Sequence, residues 1–312
     1  MNRPSNDILD AIGNTPLVEI PRLSPNPGVR ILAKLEGFNP SGSVKDRVAL
    51  YMIEKAEREG LLTPDKVILE PSTGNTGIAL AMIGRRKGYR VHVVMPENVT
   101  LEVRQMLATY GAEITWTERE NGAAGAIARA KELAQDPRFY MPNQFANQAN
   151  LLAHYETTGV EIIADAPNVD LFVAGLGTGG TLMGVGRRLK EHNPETRVIA
   201  VEPNPGTLVQ GLTSFADGYL PPLLDHSLLD GKMLVSANNA FARCRELTER
   251  EGIFAGISSG AVLHCAIRMA ERMRSGTIVV LLADNAWKYL TVGPWSKDIA
   301  LLGDSLDGKV IW

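Results

Sequence analysis

The chain has 312 residues, 45% hydrophobic and 21% charged, with 32 Lys and Arg against 35 Asp and Glu for a net charge of −3. That balance excludes a disordered, collagenous or coiled-coil chain, and it gives no basic excess for nucleic acid. Two cysteines, without a C-x-x-C pattern, exclude a disulfide scaffold and a zinc knuckle and point to a reducing compartment.

The first 17 residues are polar and hold no apolar core of signal-peptide length. No run approaches 18 apolar residues, so no membrane span is expected and a cytoplasmic location is the default. From there the pattern predicts a helix over 45–59, a strand over 67–69, a helix over 76–87, a strand over 90–95, a helix over 101–110, a strand over 113–117 and a helix over 123–134. A second series follows: strand 171–174, helix 181–190, strand 198–201, helices 239–251 and 261–274, and strand 277–282. Short Val- and Ile-rich runs followed by helical periods read as βαβ units, hence an α/β fold with mostly parallel sheets buried on both faces. Length alone suggests about two domains. The Asn- and Gln-rich stretch 141–150 marks the expected boundary. Residues 203–232, with four prolines and four glycines, are too long for a plain connection and read as a functional loop.

One pattern recurs. Strand, small-residue turn, helix is written as ILEP-STGNT-GIALAM, as FVAG-LGTGG-TLMGV and as IFAG-ISSG-AVLHCA, and NPSGS precedes the helix after Ser43. Glycine lets the backbone approach a ligand, and the helix start behind it offers unpaired N–H groups and partial positive charge. In open parallel sheets ligands sit beyond the carboxyl ends of strands, so four such turns can face one cleft. The 30 glycines exceed by about eight what a usual share of about 7% predicts.

The run Gly175-Leu-Gly177-Thr-Gly179-Gly180 fits G-x-G-x-x-G, and Glu202 lies 22 residues beyond Gly180. An NAD-dependent oxidoreductase is therefore one reading. A single phosphate uses the same physics, however, and the irregular loop interrupts the second half that a dinucleotide fold needs. A second feature argues differently. Lys45 opens a helix after Asn39-Pro40-Ser41-Gly42-Ser43-Val44, where the macrodipole disfavours a cation. Such a lysine suits covalent chemistry at a carbonyl, for which its pKa is readily depressed.

Taken together, Asn39–Arg47, Ser72-Thr73-Gly74-Asn75-Thr76, Gly177-Thr178-Gly179-Gly180-Thr181 and Gly256-Ile257-Ser258-Ser259-Gly260 resemble the cysteine synthase (O-acetylserine sulfhydrylase) family, of the cysteine synthase B type. Ile12–Leu17 and Lys288-Tyr289-Leu290 also fit, so the resemblance runs through nearly the whole chain. It implies a fold-type II pyridoxal-phosphate enzyme, similar to the tryptophan synthase β subunit: two open, mostly parallel-sheet domains with the cofactor in the cleft between them. The expected division is a smaller mobile domain over 41–150 and a larger one from 1–40 plus 151–312.

By the same resemblance, Lys45 carries pyridoxal 5'-phosphate and acts as general base. Ser72, Thr73, Gly74, Asn75 and Thr76 form the substrate-carboxylate loop, with Gln144 as a further contact, and Asn75 also bonds the cofactor's ring hydroxyl. Gly177, Thr178, Gly179, Gly180 and Thr181 cradle the phosphate, and Ser258 partners the pyridine nitrogen. No metal is expected. The implied reaction is β-replacement on O-acetyl-L-serine or O-phospho-L-serine through an α-aminoacrylate, giving L-cysteine. Related β-replacements, such as S-sulfocysteine or cystathionine formation, are alternatives. The resemblance also implies a homodimer, and it includes a branch fed by a ubiquitin-like thiocarboxylated carrier protein. Phosphoserine-using relatives carry an arginine where Thr213 stands, and no arginine occurs between Arg197 and Arg243, which favours the acetyl donor. The apolar end, Leu306–Trp312, reads as a docked tail or a cover for the site. Ser259 reads as a helix cap, Cys244 and Cys265 as small core residues, the five histidines as surface or core, and Glu202 as a strand-end residue freed of any ribose role.

Overall fold

A computed structural model describes residues 6–207, 209–214 and 220–297. The expected tail at 306–312 lies outside them. Among the described residues two sheets carry the fold. The first has six strands: β1 (Leu17–Glu19), β2 (Val29–Leu35), β7 (Leu171–Gly175), β8 (Arg197–Pro203), β9 (Gly231–Val235) and β10 (Gly276–Leu282). Their order is β1-β2-β10-β7-β8-β9, parallel throughout except for the antiparallel β1–β2 pair. The second is wholly parallel and comprises β3 (Val67–Pro71), β4 (Arg90–Pro96), β5 (Glu113–Thr117) and β6 (Phe139–Tyr140), in the order β5-β4-β3-β6.

The continuous apolar runs are explained by helices on both faces. Leu171–Ala174 of β7 are all buried. On one side Leu171 and Val173 join a core with Phe241, Leu247, Val262 and Ile267 from α8 (Ala237–Glu251) and α9 (Ile257–Ala270). On the other, Phe172 and Ala174 meet Leu182, Met183 and Leu189 of α7 (Gly180–His192). In the smaller sheet, Ile68 and Val93 pack with Ile53 of α1 (Lys45–Arg58) and Ile78 and Ile83 of α2 (Asn75–Lys87). Residues 78–83 of α2 are buried all round, as expected for a helix enclosed by neighbours. The remaining helices are α3 (Leu101–Tyr110), α4 (Gly122–Leu133), α5 (Gln148–Ala153) and α6 (Gly159–Asp165), with a π turn at His154–Thr158 joining the last two.

Two sequence expectations are corrected. Residues 253–255 of IFAG form no strand; Ala255 makes only an isolated bridge to Asn285. Ser259 does not cap α9. The cap position is Gly256, and Ser259 lies inside the first turn with its hydroxyl buried and unbonded.

Candidate active site

A cavity of about 420 Å³ opens where strands of both sheets end. The segments beyond β3, β7 and β10 line it, at Ser72–Thr76, at Gly177 and Thr178, and at Ala283. Lys45, Gln144 and Ser258 complete the set, so ten of the thirteen expected site residues share one cavity. The other three, Gly179, Gly180 and Thr181, stand behind the lining at the start of α7.

The segment before Lys45 is laid against the end of β10. Val44 N–H donates to Ala283 O (2.8 Å), Asn285 N–H to Gly42 O (3.2 Å), and Ser43 bridges Asp284. Gly42 has φ +85°, and a Cβ there would overlap the Asn285 side chain, so this close approach needs glycine. Lys45 is thereby the first residue of α1 and faces the cavity. Burial lowers its pKa to about 8, a pull that Glu70's charge only partly opposes. A second lysine, Lys288, also lines the cavity, but its ammonium donates to Gly42 O (2.8 Å) and lies 3.7 Å from Asp284. Lys45 has no such bond, so it is the lysine available for chemistry.

The loop Ser72–Thr76 runs into α2. Ser72 Oγ accepts the N–H of Gly77 (2.9 Å) and holds the turn in shape. Thr76 Oγ1 donates to Gln144 Oε1 (2.6 Å), joining the loop to the strand end after β6. Asn75 Nδ2 donates to Asp284 Oδ2 (2.8 Å), which also accepts from Tyr289 (2.7 Å); Asn75 Oδ1 is buried without a partner.

At the other end, the Gly177 turn leads into α7, whose cap residue Gly179 offers no side-chain bond; Gly180 N–H reaches Thr178 Oγ1 at 3.5 Å. A Cβ on Gly180 would overlap Asn150 Oδ1. Asn150 itself is fully buried and donates to both Thr178 Oγ1 (2.9 Å) and Gln144 O (2.8 Å). The Thr181 hydroxyl pairs with His154 Nε2 (3.2 Å), a buried imidazole held neutral by desolvation and by nearby Lys45 and Arg47. Ser258 opens α9 at the cavity wall with Gly211 beside it. Thr213 lines the same wall.

Sequence reasoning missed Asp284, Lys288, Glu70 and Asn150 as parts of the site. Two of them gave a signal: Asn150 lies in the Asn- and Gln-rich stretch taken as a boundary, and Lys288 opens the Lys288-Tyr289-Leu290 run that fits the family without a role. Glu202 is a buried residue of β8, and both cysteines are buried. No group of three or more His, Cys, Asp or Glu among the described residues could hold a metal.

These features fit a phosphorylated aldehyde cofactor: an unbonded lysine of depressed pKa, an orphaned buried carbonyl on Asn75, and an uncapped glycine-rich helix start for an anion. Comparison with known proteins agrees. A family model described as "Pyridoxal-phosphate dependent enzyme" matches residues 8–284. Cysteine synthase of Staphylococcus aureus is 40% identical over 306 residues, covering 95% of this chain and 99% of that one. A hydrogen sulfide-producing enzyme from Fusobacterium nucleatum superposes with a TM-score of 0.88 at 40% identity, over 92% of this chain and all of that one. Cysteine synthase from Entamoeba histolytica gives 0.89 at 34% identity, over 97% and 96%.

Proposed function

The chain belongs to the pyridoxal-phosphate dependent enzymes, and from that premise we propose that it is a cysteine synthase, replacing the β-leaving group of an O-activated L-serine by a sulfur nucleophile. The observation that carries this reading is Lys45: a lysine of pKa about 8, facing a cavity whose two ends are helix starts. When bound, pyridoxal phosphate supplies the electron sink that makes the substrate's Cα proton removable.

The protein's own residues do the rest. Lys45 would bind the cofactor covalently. With its pKa lowered to about 8, a minor but far larger share of its amine is neutral at pH 7 than for an ordinary lysine, and its Nζ would take the Cα proton. Gly177, Thr178, Gly179, Gly180 and Thr181 would hold the phosphate, and Asn75, oriented by Asp284, would bind the ring hydroxyl. Ser258, on the cavity wall, would offer the pyridine nitrogen a neutral hydroxyl. Ser72, Thr73, Gly74, Asn75, Thr76 and Gln144 hold the substrate carboxylate at the start of α2. Gly122, Ala123, Ala124, Ala126 and Ile127 give the cavity an apolar stretch of wall.

The leaving group is an acetate rather than a phosphate. Among the described residues, the only cationic side chains lining the cavity are Lys45 and Lys288. The first is committed to the cofactor and the second to Gly42 and Asp284, so a dianion finds no guanidinium partner beside Thr213. We take residues 41–150 as a unit moving against 1–40 plus 151–312, and a cytoplasmic homodimer as the working form. A sulfur-carrier protein is one possible donor of the nucleophile, beside sulfide and thiosulfate. No helix among the described residues is long and apolar enough to cross a membrane. The test is product analysis by mass spectrometry with O-acetylserine and O-phosphoserine, each against sulfide, thiosulfate and a carrier thiocarboxylate. L-cysteine from acetylserine, at a kcat/KM above that from phosphoserine, is expected. Cysteine from neither donor overturns the reading.

A further inference from the structure

Glu70 sits in β3, two residues before Ser72, with no solvent exposure. Its carboxylate is held by backbone. Oε2 accepts the N–H of Asn143 (2.8 Å) and Oε1 accepts the N–H of Gln144 (2.9 Å). Burying a carboxylate is costly, and desolvation pushes this one up to about 7 against the pull of those two bonds and of Lys45. The peptide it grips is itself unusual: Asn143 has φ +56°, a left-handed conformation that few residues with a side chain adopt.

What hangs on that peptide gives the carboxylate a purpose. Gln144, one of its two donors, accepts the Thr76 hydroxyl through Oε1 (2.6 Å). The Gln144 carbonyl accepts from Asn150, which reaches on to Thr178. Glu70 therefore lies beneath the joint between the Ser72–Thr76 loop and the Gly177 turn. Two N–H groups converging on one side chain require two acceptors. A glutamine of the same shape offers one, and its NH₂ would face the other N–H.

We propose that Glu70 is a positioning residue for recognition of the amino-acid carboxylate. By clamping the N–H groups of Asn143 and Gln144, it sets where the Gln144 and Thr76 side chains stand, without touching substrate. The inference rests on the reading of Thr76 and Gln144 as carboxylate contacts, and the test separates the two.

The test uses the cofactor-loaded full chain in steady-state kinetics with O-acetylserine and sulfide. Glu70→Gln is expected to raise the KM for acetylserine about tenfold, as loss of a charge-assisted hydrogen bond does, with the kcat/KM for sulfide little changed; kcat is read across pH, since losing the Glu70 charge also lowers the Lys45 pKa further. Glu70→Asp keeps both acceptors but sets them back by one methylene, and should show a smaller rise in the same direction. It stands in for Glu70→Gln if that variant fails to fold. A merely structural role predicts a lower Tm with the acetylserine KM unmoved, or both kcat/KM values falling together, and either result overturns the proposal. Thr76→Val and Gln144→Leu serve as references. If they raise the acetylserine KM and the Glu70 variants do not, the inference about Glu70 alone falls. If they do not raise it either, the carboxylate site falls with it.

Discussion

Arg47 is 1% exposed and lies two residues after Lys45 on α1. Its guanidinium donates Nε and Nη2 to Glu36 (2.8 and 2.9 Å) and Nη1 and Nη2 to Glu161 (2.6 and 2.7 Å), with further bonds to Thr15 and Thr157. Arg47→Met keeps the volume and removes the cation. Glu161 retains Lys34 at 2.8 Å. Glu36 is wholly buried and keeps only the neutral donors Thr15 and Asn39 beside it. Breaking a buried pair in this way costs about 3–5 kcal/mol, a large part of the roughly 5–15 kcal/mol that typically holds a fold. Urea unfolding followed by far-UV circular dichroism, with cofactor fixed and saturating for both proteins, reads the loss as a lower midpoint at unchanged slope. The pH dependence adds a second check. Burial tends to raise the Glu161 pKa, but the bonds and charges of Arg47 and Lys34 win and hold it at about 2, below the ordinary 4.5. Its contribution is present above pH 4.5 and is lost as pH falls toward 2, so the gap between wild type and variant should narrow there. A loss below about 1 kcal/mol at neutral pH would refute the view that this cluster depends on its arginine.

Other outcomes follow from the same geometry. In cofactor-free protein, acylation of Lys45 should rise through pH 8, where the depressed group becomes neutral, while ordinary lysines rise near pH 10; peptide mapping across pH reads this, and a Lys45 profile like the surface lysines would contradict the assigned burial. Gly180→Ala, which drives a methyl into Asn150, should weaken cofactor retention at least about tenfold by equilibrium dialysis, and unchanged retention would count against the phosphate cradle. Thr213→Arg should shift the phosphoserine-to-acetylserine kcat/KM ratio toward phosphoserine by about tenfold or more, whereas no shift would show that position 213 does not read the leaving group. Burial pushes the thiols of Cys244 and Cys265 up to about 12, so neither should react with a disulfide reagent at pH 8 until the protein unfolds.

What was legible in the sequence was local. Strand ends followed by Gly, Ser and Thr turns located Lys45, the Ser72 loop and the Gly177 turn because each is written in a few consecutive residues. The strand β2 escaped because Arg30 and Lys34 interrupt its apolar run, and Lys34 is tolerated inside through the Thr15 carbonyl and through Glu161, 127 residues away. The two-residue β6 and the short α5 are too brief for a period to show. The Asp284–Asn75 pair spans 209 residues and Glu70–Gln144 spans 74, so neither contact leaves a mark in local spacing. Ser259 was misread because a serine near a helix start usually caps it. Here α9 begins two residues earlier and Ser259 is enclosed.

The central claim is that Lys45, and not the neighbouring Lys288, carries the cofactor. Borohydride reduction of the loaded protein, proteolysis and mass spectrometry test it directly. A pyridoxyl-phosphate increment confined to the peptide containing Lys45, and absent in Lys45→Ala, is the predicted result. The increment on the Lys288 peptide, or on no lysine, would contradict it.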